Sequence, residues 1–390
     1  MSRRMIDHSA YLFETLAAGL SVPTLANARL LPPPEEDRPS AFREFTNLRF
    51  SAPEYLGHSS RFYEIKNVDE IILALVNVPI SPSAADELTA LGILLINASD
   101  ALMLASAKEM GLQRTSSVSL DSLVENVLSQ QNDTSLYSGH GMAELFEYFE
   151  PVTYYQLTID SPISTRNSAE LAYYIATYSK ALVNPKLECF IEGYRELLSY
   201  PGSFMKQNIF WSLTSTHYKH AFLELYRCIE SVYTLPRALA LKRKAGLTLA
   251  GHAVAKMCVE ELDWRRKEED SLKQIFRLIP PSVFQGLSLD LLNHEKSLDW
   301  RFDNTDENEK RAATLAVFIY QLRNQMVHQF DTTKEIQIRP RDWPILINLL
   351  ISVISFTFTH YASELPGADS EKVAVAPGDK SLDGELPGQE

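Results

Sequence analysis

Three side chains near the end of one apolar stretch could do chemistry: Arg323, Asn324 and His328. A guanidinium carries a permanent positive charge in a planar fork that fits a phosphate. An imidazole exchanges its proton near neutral pH and so serves as a general acid or base. An amide can orient such a ring or donate to an oxygen. The element that positions them is a helix over residues 308–330. At about 100° per residue, Leu315, Ile319, Leu322 and Met326 fall within roughly 60° of one another and form its core stripe. Asn324 and His328 are spaced i, i+4 and lie together on the far side, with Ala313, Val317 and Tyr320. Arg323 stands at the edge, long enough to swing either way. A second, milder apolar stripe that ends in polar groups suits a dimer cleft or a bound ligand. The bland alternative is a histidine that only hydrogen-bonds to a neighbouring helix.

The segment Arg323-Asn324-Gln325-Met326-Val327-His328 resembles the Arg-x4–6-His signature of the HEPN (higher eukaryotes and prokaryotes nucleotide-binding) superfamily, in its Arg-Asn-x-x-x-His form. Its setting is similar as well, late in the third long helix of a bundle with one further helix, 341–362, behind it. Residues 221–230 look like the acidic first helix of such domains. The resemblance covers roughly residues 205–362. It implies a metal-independent endoribonuclease that needs no cofactor and builds a composite site across a homodimer. In that chemistry RNA supplies its own nucleophile, the 2′-hydroxyl. The protein supplies a base, an acid and a cation for the charge gathering on phosphorus. His328 would take a proton role, Arg323 would stabilise the phosphate, and Asn324 would hold the ring or donate to a phosphate oxygen. Glu224 and Glu230 are the candidates for an assisting first-helix carboxylate, and the sequence does not choose between them. A twofold axis beside the motif helix would supply a second histidine and bury the second stripe. The biological role implied is that of an effector in antiphage defence, abortive infection or a toxin system, with a phage-derived trigger or regulatory protein as a further partner. Toxins of this kind that are silenced by adenylylation carry His-x-Tyr. Here that position is Phe330, which has no hydroxyl to modify. Two other readings stay open: a non-catalytic HEPN-like module that binds a nucleotide or a protein, and an inactive scaffold in a larger defence complex.

The formal charge of −13 over 390 residues argues against a polyanion as partner until its distribution is considered. Residues 1–200 carry a balance of −11, residues 201–363 one of +3, and residues 364–390 one of −5. The middle segment holds the run Arg237, Lys242, Arg243 and Lys244. These four, with Tyr320, are the candidates for RNA contact, since a local basic surface binds a polyanion whatever the net charge. A solvated helix face explains the same run. His217 and His220, at i, i+3, lack a third ligand and read as an exposed helix start, so no metal site is expected. Tyr148, Phe149, Tyr154, Tyr155, Tyr173, Tyr174 and Tyr178 read as core rather than as a base-stacking platform. No phosphate-binding glycine loop or GxSxG elbow occurs.

The composition is that of a soluble globular chain, with 45% apolar residues and a mean hydropathy of −0.14. No stretch reaches the roughly 18 to 20 apolar residues of a membrane span, and residues 345–358 read as a buried helix. Three widely spaced cysteines (Cys189, Cys228, Cys258) and no signal segment point to a reducing cytoplasm. The fold expected is mainly α: a C-terminal HEPN-like helical bundle (181–363) preceded by an acidic α+β sensing or regulatory domain (1–180) and followed by a disordered acidic tail (364–390). In the first part, residues 10–20, 84–110 and 120–128 read as helices and 152–159 as a strand. Residues 65–78 read as mixed, with 69–76 able to form a helical turn. In the second part, the helices expected are 187–199, 215–235, 248–264, 268–278, 308–330 and 341–362, with residues 293–308 a polar connection.

Overall fold

A computed structural model describes residues 4–20, 25, 27–129, 137–164, 166–200, 205–262, 268–284, 308–328 and 338–366, with backbone alone at 261, 262 and 328. Among the described residues the chain is mostly helical, with one small antiparallel sheet in its N-terminal half. Two helices, α1 (Met5–Ala17) and α2 (Arg38–Asn47), lead into the sheet strands β1 (Arg49–Phe50), β2 (Glu54–Tyr55), β3 (Arg61–Asn67) and β4 (Glu70–Val76). Then follow α3 (Pro82–Ala90), β5 (Ile93–Ile96), α4 (Asp100–Glu109), α5 (Leu120–Leu123), α6 (Met142–Phe146) and β6 (Val152–Leu157). The remaining helices are α7 (Ser168–Ala176), α8 (Ile191–Ser199), α9 (Lys206–Thr214), α10 (Tyr218–Glu230), α11 (Leu235–Ala245), α12 (Gly251–Leu262), α13 (Glu268–Leu278), α14 (Pro281–Phe284), α15 (Asn308–His328) and α16 (Trp343–His360).

The strand order is β1-β3-β4-β6-β5, with β2 also pairing with β3, and every pairing is antiparallel. β4 is central and buried on both faces, which explains its near-continuous apolar run Ile71-Ile72-Leu73-Ala74-Leu75-Val76. Ile72, Ala74 and Val76 face a core built with α1, α2, α4 and α6. Leu73 and Leu75, with Phe62, Tyr155 and Leu157, face the other way. That second core takes in residues of α7, α8, α9, α10, α13, α15 and α16, so it runs without interruption across residue 180. Tyr148, Phe149, Tyr154, Tyr155, Tyr173, Tyr174 and Tyr178 are buried or half-buried in these cores, as their pattern suggested.

The helix expected over 84–110 is two helices with β5 between them. Gly92 makes the break: its φ of +75° suits glycine, and a Cβ there would stand 2.4 Å from Thr158 Oγ1. Ser81 and Ser99 then cap α3 and α4 through their side chains. Residues 70–76 form strand β4, not a helical turn, because it is sandwiched between β3 and β6. In the helical half, 215–235 is shorter than expected, since residues 231–234 turn and Pro236 opens α11 in its first turn. α11 ends on Gly246 at φ +63°, the usual left-handed C-terminal position. α9 and α11 carry no long apolar period and were not expected as separate helices. The polar connection at 293–308 lies outside the described residues except for Asn308, and so does 367–390 of the expected disordered tail. All three cysteines are free.

α16 is the buried helix expected over 345–358, extended at both ends. At 18 residues it is long and apolar enough to cross a membrane. Here it is a core helix: Leu346, Ile347, Leu349, Leu350, Val353 and Ile354 are fully buried against α8, α10 and their neighbours. Deleting such a side chain to alanine costs about 2 to 5 kcal/mol, so this helix holds the motif helix's surroundings in place.

Candidate functional site

α10, α13 and α15 meet where the motif begins. Ala312, Leu315, Ala316, Phe318, Ile319 and Leu322 are the buried face of α15, packed chiefly on α13. Arg323 follows at the rim of that contact, its side chain 18% exposed. On α10 the buried residues are Ala221, Phe222, Leu225, Tyr226, Cys228 and Ile229, the helical period that turns Glu230 toward α15.

Arg323 is held from three helices. Its Nη2 donates to Glu230 Oε1 at 2.7 Å, and its Nη1 donates to Asn324 Oδ1 at 2.9 Å. The same Nη1 stands 3.4 Å from Glu268 Oε2, on the first residue of α13. The guanidinium carbon lies 5.6 Å from the centre of the Tyr226 ring, within cation–π range. Behind that ring, the Tyr233 hydroxyl donates to the Tyr226 hydroxyl at 2.5 Å in a buried pair. Burial pushes both phenols above their ordinary range. Burial likewise raises the Glu230 carboxyl; the Arg323 charge opposes the shift and Glu268 adds to it. One cation between two carboxylates gives the cluster a formal charge of −1.

The structure thus brings Arg323, Asn324 and Glu230 together and separates Glu224 from them. Glu224 accepts from Asn208 Nδ2 at 2.7 Å and from Arg227 Nη1 at 2.7 Å, on the side of α10 that faces α9. His328 closes α15 one turn beyond Asn324; its side chain, like Phe330, lies outside the described residues. Tyr320 is half-buried and packs against the core instead of standing free for a base. Arg237, Arg243 and Lys244 are exposed along α11. Lys242 is already committed: its Nζ donates to both carboxylate oxygens of Glu364, at 2.8 and 3.0 Å. His217 and His220 sit edge to face at the start of α10, ring centres 5.7 Å apart.

Three members of the cluster were missed in the sequence: Glu268, Tyr226 and Tyr233. Tyr226 stands one turn before Glu230 on the same helix face, a signal that could have been used. Glu268 had none, since it opens an acidic run (Glu268, Glu269, Asp270) that reads as an ordinary helix first turn. Compared with family models, with curated proteins and with solved structures, the chain matches none.

Proposed function

We propose that this chain is a metal-independent endoribonuclease of the HEPN type, with its site at the C-terminal end of α15. The observation that carries the reading is the convergence of Arg323, Asn324 and the first-helix carboxylate Glu230 one turn before His328. In this mechanism His328 removes the proton of the 2′-hydroxyl. The oxygen attacks the adjacent phosphorus while the 5′-oxygen leaves and takes up a proton. The products are a 2′,3′-cyclic phosphate and a 5′-hydroxyl. Arg323 stabilises the charge on the non-bridging oxygens. Glu230 and the Tyr226 ring set where its guanidinium points. A second copy, docked twofold on the motif helix, supplies the second histidine, and the exposed Arg237, Arg243 and Lys244 guide the RNA backbone. The sheet-bearing N-terminal part serves as the sensing or regulatory region of a defence effector.

The test is RNA cleavage by purified full-length protein in EDTA. The expected outcome is degradation of single-stranded or transfer RNA, lost by about 10²-fold or more in His328→Ala and in Arg323→Ala. Cleavage that needs an added divalent metal, or that survives both substitutions, contradicts the reading. A second reading is favoured by the Arg323–Glu230 ion pair, since an arginine tied to a carboxylate of its own chain also suits a structural role. In that case the chain is a non-catalytic binding or assembly module, and neither substitution exposes any RNA-cutting activity to lose.

A further inference from the structure

We infer that Glu268 occupies the place on Arg323 where a phosphate of the substrate binds, and that it must yield that place before the site can work. The inference rests on the reading of Arg323 as the phosphate-binding group and deepens it. The two carboxylates on Arg323 are not equivalent. Glu230 is bonded closely, at 2.7 Å, with its side chain only 26% exposed, on the guanidinium that also lies over the Tyr226 ring. Glu268 stands farther off, at 3.4 Å, and is 43% exposed. The first distance is that of a charge-assisted hydrogen bond; the second is a looser ion pair open to water. Glu268 is therefore the solvent-side partner of the guanidinium, the side from which a polyanion must arrive.

A carboxylate offers two oxygens to a guanidinium much as a phosphate does. With Glu268 in place, the cluster already carries one negative charge too many, and an incoming phosphate meets repulsion. With Glu268 withdrawn, Arg323 and Glu230 balance, and Nη1 keeps only its bond to the neutral Asn324 amide. Withdrawal does not strand the charge. The Glu268 side chain is 43% exposed, so a released carboxylate is solvated by water. Its neighbour Glu269 is engaged elsewhere, accepting from Lys273 Nζ at 2.5 Å, and so serves as a control of equal charge.

The experiment uses the full chain as wild type, Glu268→Gln, Glu269→Gln, Arg323→Ala and Glu268→Gln/Arg323→Ala. Three quantities are read in EDTA: affinity for a fluorescent single-stranded RNA, cleavage of it, and protection of Arg323 from phenylglyoxal by inorganic phosphate, mapped by mass spectrometry. Glu268→Gln is expected to bind RNA at least fivefold more tightly and to protect Arg323 at correspondingly lower phosphate. Glu269→Gln is expected to change neither, and the gain is expected to vanish without Arg323. The inference is overturned if a folded Glu268→Gln protein shows no gain in either measure, if Glu269→Gln gives the same gain, or if the gain persists in the double variant. The outcomes separate the two claims. Arg323-dependent cleavage with no effect of Glu268→Gln sinks the inference and leaves the proposed function standing. Tighter phosphate protection in Glu268→Gln without cleavage by any variant does the reverse.

Discussion

Glu224 and Glu230 stand six positions apart on α10, which places them about 240° apart around the helix. They flank opposite borders of its buried arc. Glu230 lies beside Tyr226, on the border that meets α15, and Glu224 lies on the border that meets α9 and Asn208. Each carboxylate therefore has its own arginine, Arg323 for one and Arg227 for the other. Substituting Glu230 by alanine should release Arg323 from its closest partner and lower kcat/KM for RNA by roughly 10- to 100-fold, because small misplacements of an orienting group cost about that much. Glu224→Ala should leave kcat/KM within about twofold. Equal losses in the two variants would mean that Glu230 does not orient Arg323 for the reaction. The motif residues and both glutamates were legible in the sequence. Their pairing was not, because either border of an amphipathic helix can face the neighbour that matters.

Among the elements, the junction of α8 and α9 makes the clearest demand on a single residue. The last carbonyls of α8 have no partner within their own helix, and Lys206 reaches back to them from the start of α9. Its Nζ donates to the Leu198 carbonyl at 2.6 Å, to that of Tyr200, and more weakly to that of Leu197 at 3.4 Å. Arg166 adds a longer contact to the Leu198 carbonyl at 3.4 Å. Lys206 is 2% exposed, and burial pushes its ammonium down to about 7, with Glu170 opposing the shift. Lysine in the unfolded chain keeps its proton up to about 10.5. Below about pH 7 both states hold the proton and this group adds no pH dependence. Between about 7 and 10.5 the unfolded chain holds a proton that the folded chain has lost, so stability rises with pH. Urea midpoints measured from pH 7 to 9 should climb in the wild type relative to Lys206→Met. Parallel curves would show that the ammonium stays charged on its carbonyls. Lys206 was not visible as a structural residue beforehand, since its acceptors are backbone atoms and carry no sequence signature.

At the scale of the whole molecule, the sheet and the helical half share one apolar core. Phe62, Leu73, Leu75, Tyr155 and Leu157 of the sheet belong with Tyr194, Phe210, Phe222, Leu315 and Leu350 of the helices, and Tyr173 stacks on Phe210 with ring centres 5.1 Å apart. The packing therefore continues through the boundary expected near residue 180. Chemical denaturation followed by far-ultraviolet circular dichroism and by aromatic fluorescence should give one coincident transition. A fragment beginning at residue 181 should lack the cooperative transition, since it would expose the helix surfaces that Tyr173, Ile175 and the sheet now cover. Two separated transitions in the full chain, or a cooperatively folded fragment, would show instead that each half holds its own core.

Residue type and period by themselves determined the helical character of the second half, the buried stripe of α15, the burial of α16 and the grouping of Arg323, Asn324 and His328 on one helix end. These follow from local rules, a 3.6-residue repeat and the chemistry of single side chains. Tertiary structure alone decided that β5 divides 84–110, that Glu230 rather than Glu224 meets Arg323, and that Glu268 and the two tyrosines complete the cluster. Those contacts join residues up to 97 positions apart in α10 and α15. An ion pair across helices depends on how they cross, which no repeat along one chain segment encodes.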